Sequence, residues 1–522
     1  MNILNKHIKI ILLYSVVSVL LLITFFSDIH TKVIGNINHP NAQGEILLTD
    51  IMKTSLLHHK ILNWSNTNFL NYPYGEQLSD IIRHTVHLYF SGLIAVITNS
   101  IISYNLTFFI IIILNAYCMF LFAQYLFKNY YLSWLAGLFY TLNVYVLLKI
   151  NIGSLHKSSI FFIPLYIMFL FKLFDTKKTI YILITFVCLV FVYLQYPMYA
   201  LYCLLFSMFF ISYRFFKNKK IQELKYFTVI SILSVIFLYW LGVLGHITFD
   251  LSIYENEPWK LNMFYFIKNY LPYPTSFPIG ISPYILILGL LGFIYKKEAR
   301  FFFIVSIFYI VLSFGNYISI AGITIPMPFY FLAKTVKFFS NMQLYAPIRT
   351  LPLAYLCLII SAIYFIQIVY DKFGKKSIYL IAGIFILELT FLYPESFPIK
   401  TSHLPKYTIA AKIKNENGNL LFLPLFDTNN KVLTHKSMLI ALMSNKKMAN
   451  TYDSESWVGN IIRNKDVLSV LKDLKNNNIR FIIIYTNLQA ETKQESELIN
   501  LIKAKSLKID NSTLLYEINE NI

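Results

Sequence analysis

Long apolar runs separated by short polar breaks repeat along the chain until about residue 394, where the pattern changes. Runs such as 10–26, 106–127 and 351–369 are apolar over nearly their whole length. Each is long enough as a helix to cross about 30 Å of hydrocarbon, or nearly so, and a helix satisfies its own backbone there. The alternation predicts spans at 10–26, 104–127, 131–149, 159–174, 180–195, 198–213, 226–245, 282–295, 301–318, 350–370 and 377–393. Residues 84–103 are read instead as an apolar helix lying in, or dipping into, the membrane face. Beyond 394 the runs shorten. Residues 419–426 (NLLFLPLF), 480–485 (RFIIIY) and 513–518 (TLLYEI) read as buried strands. Residues 465–475 carry Val467, Leu468, Leu471 and Leu474 at helical spacing, and 495–505 form a second amphipathic stretch. Alternating strands and helices predict a small α/β domain. The expected fold class is an α-helical polytopic membrane protein of about eleven transmembrane helices with a C-terminal extracytoplasmic α/β domain. The expected domains are 1–394, with a long outer loop at 27–103, and 395–522.

Composition agrees with a membrane solvent. The 522 residues are 57% hydrophobic and only 14% charged, against about 25% charged in soluble domains. Residues 10–25 have the apolar character of a signal peptide, but Phe26-Ser27-Asp28-Ile29 offers no small-residue cleavage site. The run is therefore expected to stay as a first span. The net charge of +19 comes largely from clusters in short breaks: Lys6 and Lys9; Lys128; Lys172, Lys177 and Lys178; Arg214, Lys217, Lys219 and Lys220; Lys296, Lys297 and Arg300; Lys372, Lys375 and Lys376. That placement follows the positive-inside rule and sets orientation rather than binding nucleic acid. It puts the N-terminus in the cytoplasm and the 27–103 loop and the tail outside. Counting 84–103 as a full span would put every later cluster outside. Cys118, Cys188, Cys203 and Cys357 all lie in apolar runs, where no structural disulfide is expected. The tail has no Gly-rich phosphate loop and no metal-spaced His/Cys set.

Candidate chemistry then concentrates in the outer loops. Asp28 follows the first span, and Glu45 and Asp50 lie in GEILLTDI. Five residues apart on a helix, Glu45 and Asp50 point about 140° apart, too far for a tight dyad. Either can act alone as a general base, or be a solvated carboxylate. His58, His59 and Lys60 match no metal motif; His84 and His87, three apart, suit a metal, a phosphate or the headgroups. His156 and Lys157, in the short GSLHK loop, suit a phosphate or simple snorkelling. Arg349, in YAPIRT just before a span, has the forked donor that fits a phosphate, or anchors the membrane edge. Lys334 and Lys337 lie on the same outer loop. The tyrosines and phenylalanines are read as packing and lipid-facing residues.

Several motifs recur in a set order: Gly44-Glu45; Tyr72-Pro73-Tyr74-Gly75; Gly153, His156 and Pro164; Leu312-Ser313-Phe314-Gly315; Pro326 and Pro328; Pro347-Ile348-Arg349; and, in the tail, Leu423-Pro424, His435 and Leu515-Tyr516. In this order over nearly the whole chain the sequence resembles the GT-C superfamily of membrane glycosyltransferases, specifically its YfhO-like relatives. The resemblance implies transfer of a sugar, with inversion, from a polyprenyl-phosphate donor to an extracytoplasmic glycan, lipid or protein acceptor at the outer membrane face. It implies an outer-loop carboxylate as base, with cations on the departing lipid phosphate: Arg349, His156 and Lys157, supported by Asp28 and Lys337. A divalent cation is a possible cofactor. The family commonly has Asp after the glycine, where this chain has Glu45, so Glu45 and Asp50 both stand as candidate bases. Two other classes fit the composition: a lipid or lipid-linked glycan flippase, and a non-catalytic scaffold of envelope assembly. The scarcity of charge within the spans, with Glu388 the clearest exception, disfavours an ion-coupled carrier.

Overall fold

The computed structural model describes residues 2–21, 31–58, 66–77, 86–218, 222–240, 260–262, 281–315, 317–320, 323–335, 347–394, 397–425, 431–450, 457–488, 490, 492–510 and 512–518. The chain is mostly helical. Among the described residues, four helices are long and apolar enough to cross a membrane: Ser100–Phe127, Leu155–Thr176, Pro197–Phe216 and Pro347–Phe373. Tyr130–Thr141 and Val144–Asn151 together make a fifth, bent by 42°. Asn143 causes the break: its side chain accepts from Val146 N at 3.0 Å and its amide donates back to Tyr140 O. An Asx cap inside an apolar run starts a new helix instead of continuing the old one. The other expected spans are the helices Asn2–Leu21, Ile180–Gln195, Gln222–Trp240, Pro283–Tyr295, Lys297–Ser313 and Lys375–Leu392. These fall short in length or in unbroken apolar run. The chain is a multi-pass membrane protein, with lipid covering its outward stripes. Leu183, Val187 and Phe191 are exposed at four-residue spacing, as are Leu380, Ile384, Leu387 and Phe391 at three and four.

The chain divides into two compact units. The first comprises Met1–Ser27, Arg83–His87 and Thr107–Lys400. Within it the helices Pro283–Tyr295 and Leu351–Phe373 approach closely. A Cβ at Gly292 would stand 2.0 Å from Ser361 O, so only glycine permits the contact. Ser361 Oγ also donates to Gly289 O at 2.8 Å. Small residues and a hydroxyl at a helix seam are how helices pack where lipid gives no hydrophobic drive. Glu388, the exception to charge-free spans, caps the start of Pro283–Tyr295. Its Oε2 accepts from Ser282 Oγ at 2.5 Å and its Oε1 from Tyr284 N at 2.9 Å. A carboxylate at a helix N-terminus meets orphan N–H groups and the positive end of the dipole.

The second unit comprises Asp28–Ile82, Leu88–Leu106 and Thr401–Ile522. Its centre is a four-stranded sheet in the order Leu507–Lys508, Thr513–Glu517, Ile479–Tyr485, Asn419–Leu423. Asn419–Leu423 runs parallel to Ile479–Tyr485 and the other pairings are antiparallel. Strand alternation sends Leu421, Leu423, Ile482 and Ile484 to one face, against Val470, Leu471, Leu474, Leu498 and Ile502 of the helices Val467–Asn476 and Lys493–Lys503. Leu420, Phe422, Phe481 and Ile483 face the other way. There they share a core with Leu47, Ile51 and Met52 of the helix Pro40–Leu57 and Ile440 of the helix Lys431–Met443. The segment 40–70 therefore contributes to this core with the tail. Two further seams join the same pieces: Lys32–Ile34 pairs antiparallel with Thr401–His403, and Met448 N donates to Phe69 O at 2.9 Å while Tyr72 N donates to Met448 O at 3.0 Å. The helix Val86–Ile97 is 12 residues long, too short to span, and exposes Phe90, Leu93 and Ile97.

Candidate functional site

Arg349 sits in a single 3-10 turn, Pro347–Thr350, immediately before the helix Leu351–Phe373. Thr350 Oγ1 fixes the turn by donating to the carbonyl of Tyr309 at 2.9 Å or of Pro347 at 2.8 Å. The guanidinium is buried, only 3% exposed. It lies over the ring of Tyr196, 5.3 Å from the centroid, and its Nη1 donates to Tyr145 Oη at 3.4 Å. Its Nε is buried and has no hydrogen-bond partner among the described residues. An arginine stacked on an aromatic face is weakly hydrated and pre-oriented, the state suited to gripping an anion.

Behind Tyr145 the hydrogen bonds run in one direction. Tyr145 and Tyr199 hydroxyls are 2.7 Å apart, and Tyr199 donates its proton to Lys157 O at 2.8 Å. The proton shared by the two tyrosines therefore belongs to Tyr145, whose oxygen is left to accept from Arg349. Lys149 Nζ lies 5.2 Å over the Tyr145 ring and is also buried. It is close enough to Arg349 and Lys157 to feel both charges. Tyr145 thus carries one cation on its hydroxyl and another on its face.

The loop bearing His156 and Lys157 is held at both ends. The helix Val144–Asn151 closes in a Schellman turn, with Ser154 N bonded to Lys149 O and Gly153 N to Ile150 O, both at 2.9 Å. Gly153 takes φ 73°, which favours glycine. On the far side Asn115 Nδ2 donates to Ser158 O at 2.9 Å and Asn115 Oδ1 accepts from Ile160 N at 3.0 Å. His156 stacks on Tyr196, centroids 5.8 Å apart and planes at 27°. The His87 ring lies 5.8 Å from that of His156. These two imidazoles are the groups of this unit that could share a metal ion; imidazole suits borderline divalent cations.

The structure thus brings Arg349, His156 and Lys157 together in one unit. Sequence reasoning missed Lys149, which it placed at the end of a span, and it missed the tyrosines, which it assigned to packing. One signal was present: Tyr193, Tyr196, Tyr199 and Tyr202 recur every third residue. The histidine expected to pair with His84 faces His156 instead; His84 lies outside the described residues, as do His59, Lys60, Asp28 and Lys337. Lys334 closes the helix Pro328–Thr335.

Glu45 and Asp50 belong to the second unit, both on Pro40–Leu57. Glu45 is 2% exposed and within electrostatic reach of Tyr104, whose hydroxyl donates to Ile34 O at 3.1 Å. Asp50 is half-buried and its Oδ1 accepts from Ser100 Oγ at 2.6 Å. The two carboxylates are not a dyad; their helical spacing separates them. His58 is exposed at the C-cap of the same helix.

No protein-family model matches the chain, and no curated protein matches it either. Solved structures do. One is the archaeal oligosaccharyltransferase AglB from Archaeoglobus fulgidus in complex with an inhibitory peptide and a dolichol-phosphate, with a TM-score of 0.48 and 10% identity over 92% of this chain and 69% of that one. A second Archaeoglobus fulgidus oligosaccharyltransferase structure, in complex with Zn and sulfate, gives 0.47 and 11%, covering 92% and 68%. The arabinofuranosyltransferase AftD from Mycobacteria gives 0.47 and 11%, covering 98% of this chain and 41% of that one.

Proposed function

We propose that the protein is a GT-C-type membrane glycosyltransferase that transfers a sugar from a polyprenyl-phosphate-linked donor to an extracytoplasmic glycan, lipid or protein, with inversion. The observation that carries this reading is Arg349, a buried arginine with an unpartnered Nε, mounted on Tyr196 and Tyr145 at the head of an apolar helix. A buried, unused cationic donor beside a membrane-length helix suits the phosphate of a lipid-linked substrate. Lys157 adds positive charge from the neighbouring turn, and His156 adds a ring nitrogen that can donate to the phosphate. Their work is to stabilise the lipid phosphate as the bond to the sugar breaks. Glu45, only 2% exposed and so held in a desolvated setting, serves as the general base that takes the acceptor's proton, in preference to the more exposed Asp50. His87 and His156 are the ligands for a divalent cation, which when bound would add further charge beside the phosphate. Asp28 and Lys337 remain supporting residues of this proposal.

The test uses purified protein in lipid with a panel of polyprenyl-phosphate sugars, wild type beside Glu45→Gln, Asp50→Asn and Arg349→Ala. The expected outcome is turnover of one donor by the wild type, lost in Glu45→Gln and retained in Asp50→Asn. Translocation of a lipid-linked sugar with no turnover would replace the transferase reading with that of a flippase.

A further inference from the structure

A phosphate explains the orphan on Arg349 but leaves a second one untouched. Gln195 is fully buried, and its Nε2 donates to Ser159 Oγ at 3.2 Å, yet among the described residues its Oε1 has no hydrogen-bond partner. A buried polar atom left unpaired carries its full desolvation penalty, and native structures leave few of them. The two orphans are of opposite kind. Among the described residues the Nε of Arg349 lacks an acceptor, and the Oε1 of Gln195 lacks a donor. A phosphodiester at neutral pH offers only acceptor oxygens, so one phosphate does not serve both.

The two residues converge on Tyr196. Gln195 directly precedes it, and Arg349 lies over its ring. The segment 195–199 is clamped against 156–159 by contacts that include Gln195 with Ser159, Tyr196 with His156 and Tyr199 with Lys157. The clamp fixes the amide one residue from the aromatic platform of the arginine. A ligand that satisfies both atoms carries an anionic oxygen and, on the adjoining group, a hydroxyl. A sugar attached to phosphate is such a ligand. We propose that Gln195 reads the sugar of the donor, its Oε1 accepting a hydrogen bond from one sugar hydroxyl while Arg349 holds the adjoining phosphate. This rests on the donor reading above and extends it from the lipid phosphate to the sugar. It also makes the break between the helices Ile180–Gln195 and Pro197–Asn218 the place where sugar specificity is set.

Binding separates the two claims. Full-length protein in lipid nanodiscs is titrated with undecaprenyl phosphate, with undecaprenyl-phosphate sugars and with their monodeoxy analogues, for the wild type, Gln195→Met and Gln195→Glu. The wild type is expected to bind one deoxy analogue about tenfold more weakly than its parent, the scale of one good hydrogen bond. Gln195→Met is expected to bind the parent about tenfold more weakly, to stop discriminating against that analogue, and to bind sugar-free undecaprenyl phosphate as the wild type does. Gln195→Glu keeps an acceptor oxygen and is expected to keep the discrimination. Equal weakening of sugar-free and sugar-bearing lipid in Gln195→Met would reduce Gln195 to packing and overturn the proposal. So would undiminished discrimination in that variant. A wild type that binds undecaprenyl phosphate but no sugar more tightly overturns this inference alone, whereas one that binds neither lipid overturns the donor reading itself.

Discussion

Two charges in the same unit, the buried Arg349 and the half-buried Glu388, receive opposite treatment. Glu388 has both carboxylate oxygens occupied, by the Ser282 hydroxyl and the Tyr284 backbone, at the start of a helix that needs an anion there. Arg349 is held by aromatic rings and one long hydrogen bond, and its Nε meets nothing among the described residues. A satisfied buried charge is part of the scaffold; an unsatisfied one is kept for something else, since it destabilises the fold that carries it. From sequence the two look alike, each a lone ionisable residue at the edge of an apolar run. In the structure, partner count tells them apart.

The largest effect is expected at the proposed base, set against the two charges just compared. Glu45→Gln should lower transfer by about 10²- to 10⁴-fold, the usual contribution of a general base, with the unfolding temperature unchanged. Single-turnover rates in lipid give the readout. Arg349→Ala should lower kcat/KM for the donor about a hundredfold and leave the acceptor KM alone. It should not destabilise the protein, because it deletes an uncompensated buried charge. Glu388→Ala should do the reverse. Loss of an acceptor for two donors costs about 2–3 kcal/mol of stability, while turnover per folded molecule stays near wild type. If Arg349→Ala melted the protein and Glu388→Ala silenced it, the contrast would be inverted. Tyr145→Phe removes the acceptor behind Arg349 and should cost up to about tenfold in donor kcat/KM, on the scale of one hydrogen bond.

The smallest effect lies in the second unit, at a helix cap far along the chain from the proposed site residues. Asp466 caps the helix Val467–Asn476, accepting from Ser469 Oγ at 2.6 Å and Ser469 N at 3.0 Å, and these bonds hold its carboxyl below the ordinary range. A depressed folded pKa means the stabilisation is present above the unfolded value of about 3.9 and is lost as pH falls through the folded one. Asp466→Ala should therefore lower the melting temperature at pH 7 and show less further loss on acidification than the wild type.

Much of the helix and strand pattern was legible because burial imposes a period. The runs at 419–423, 479–485 and 513–517 appear as strands close to where alternation and apolar density put them. The break at Asn143 was not legible, since the flanking residues are apolar on both sides and one Asx side chain decides it. Nor was the shared core of Pro40–Leu57 with the tail. Leu47 and Ile51 look like any amphipathic face, and nothing local names a partner more than 350 positions away. At the site, Arg349, His156 and Lys157 stood out by type and place. Lys149, Gln195 and the tyrosines did not, because their roles lie in which atoms are paired, and pairing is set by the fold.

The glycine seam has a mechanical meaning for the arginine at the head of one of its helices. With Gly292 pressed against Ser361 and the Ser361 hydroxyl latched to Gly289, Pro283–Tyr295 and Leu351–Phe373 are locked against axial slip. A sliding step would drive a backbone oxygen into a Cα. The helix that carries Arg349 therefore behaves as one half of a rigid plank, and the guanidinium cannot be advanced or withdrawn by piston motion of its own helix. Any stroke that carries it must move both helices, or be confined to the four residues of the Pro347–Thr350 turn.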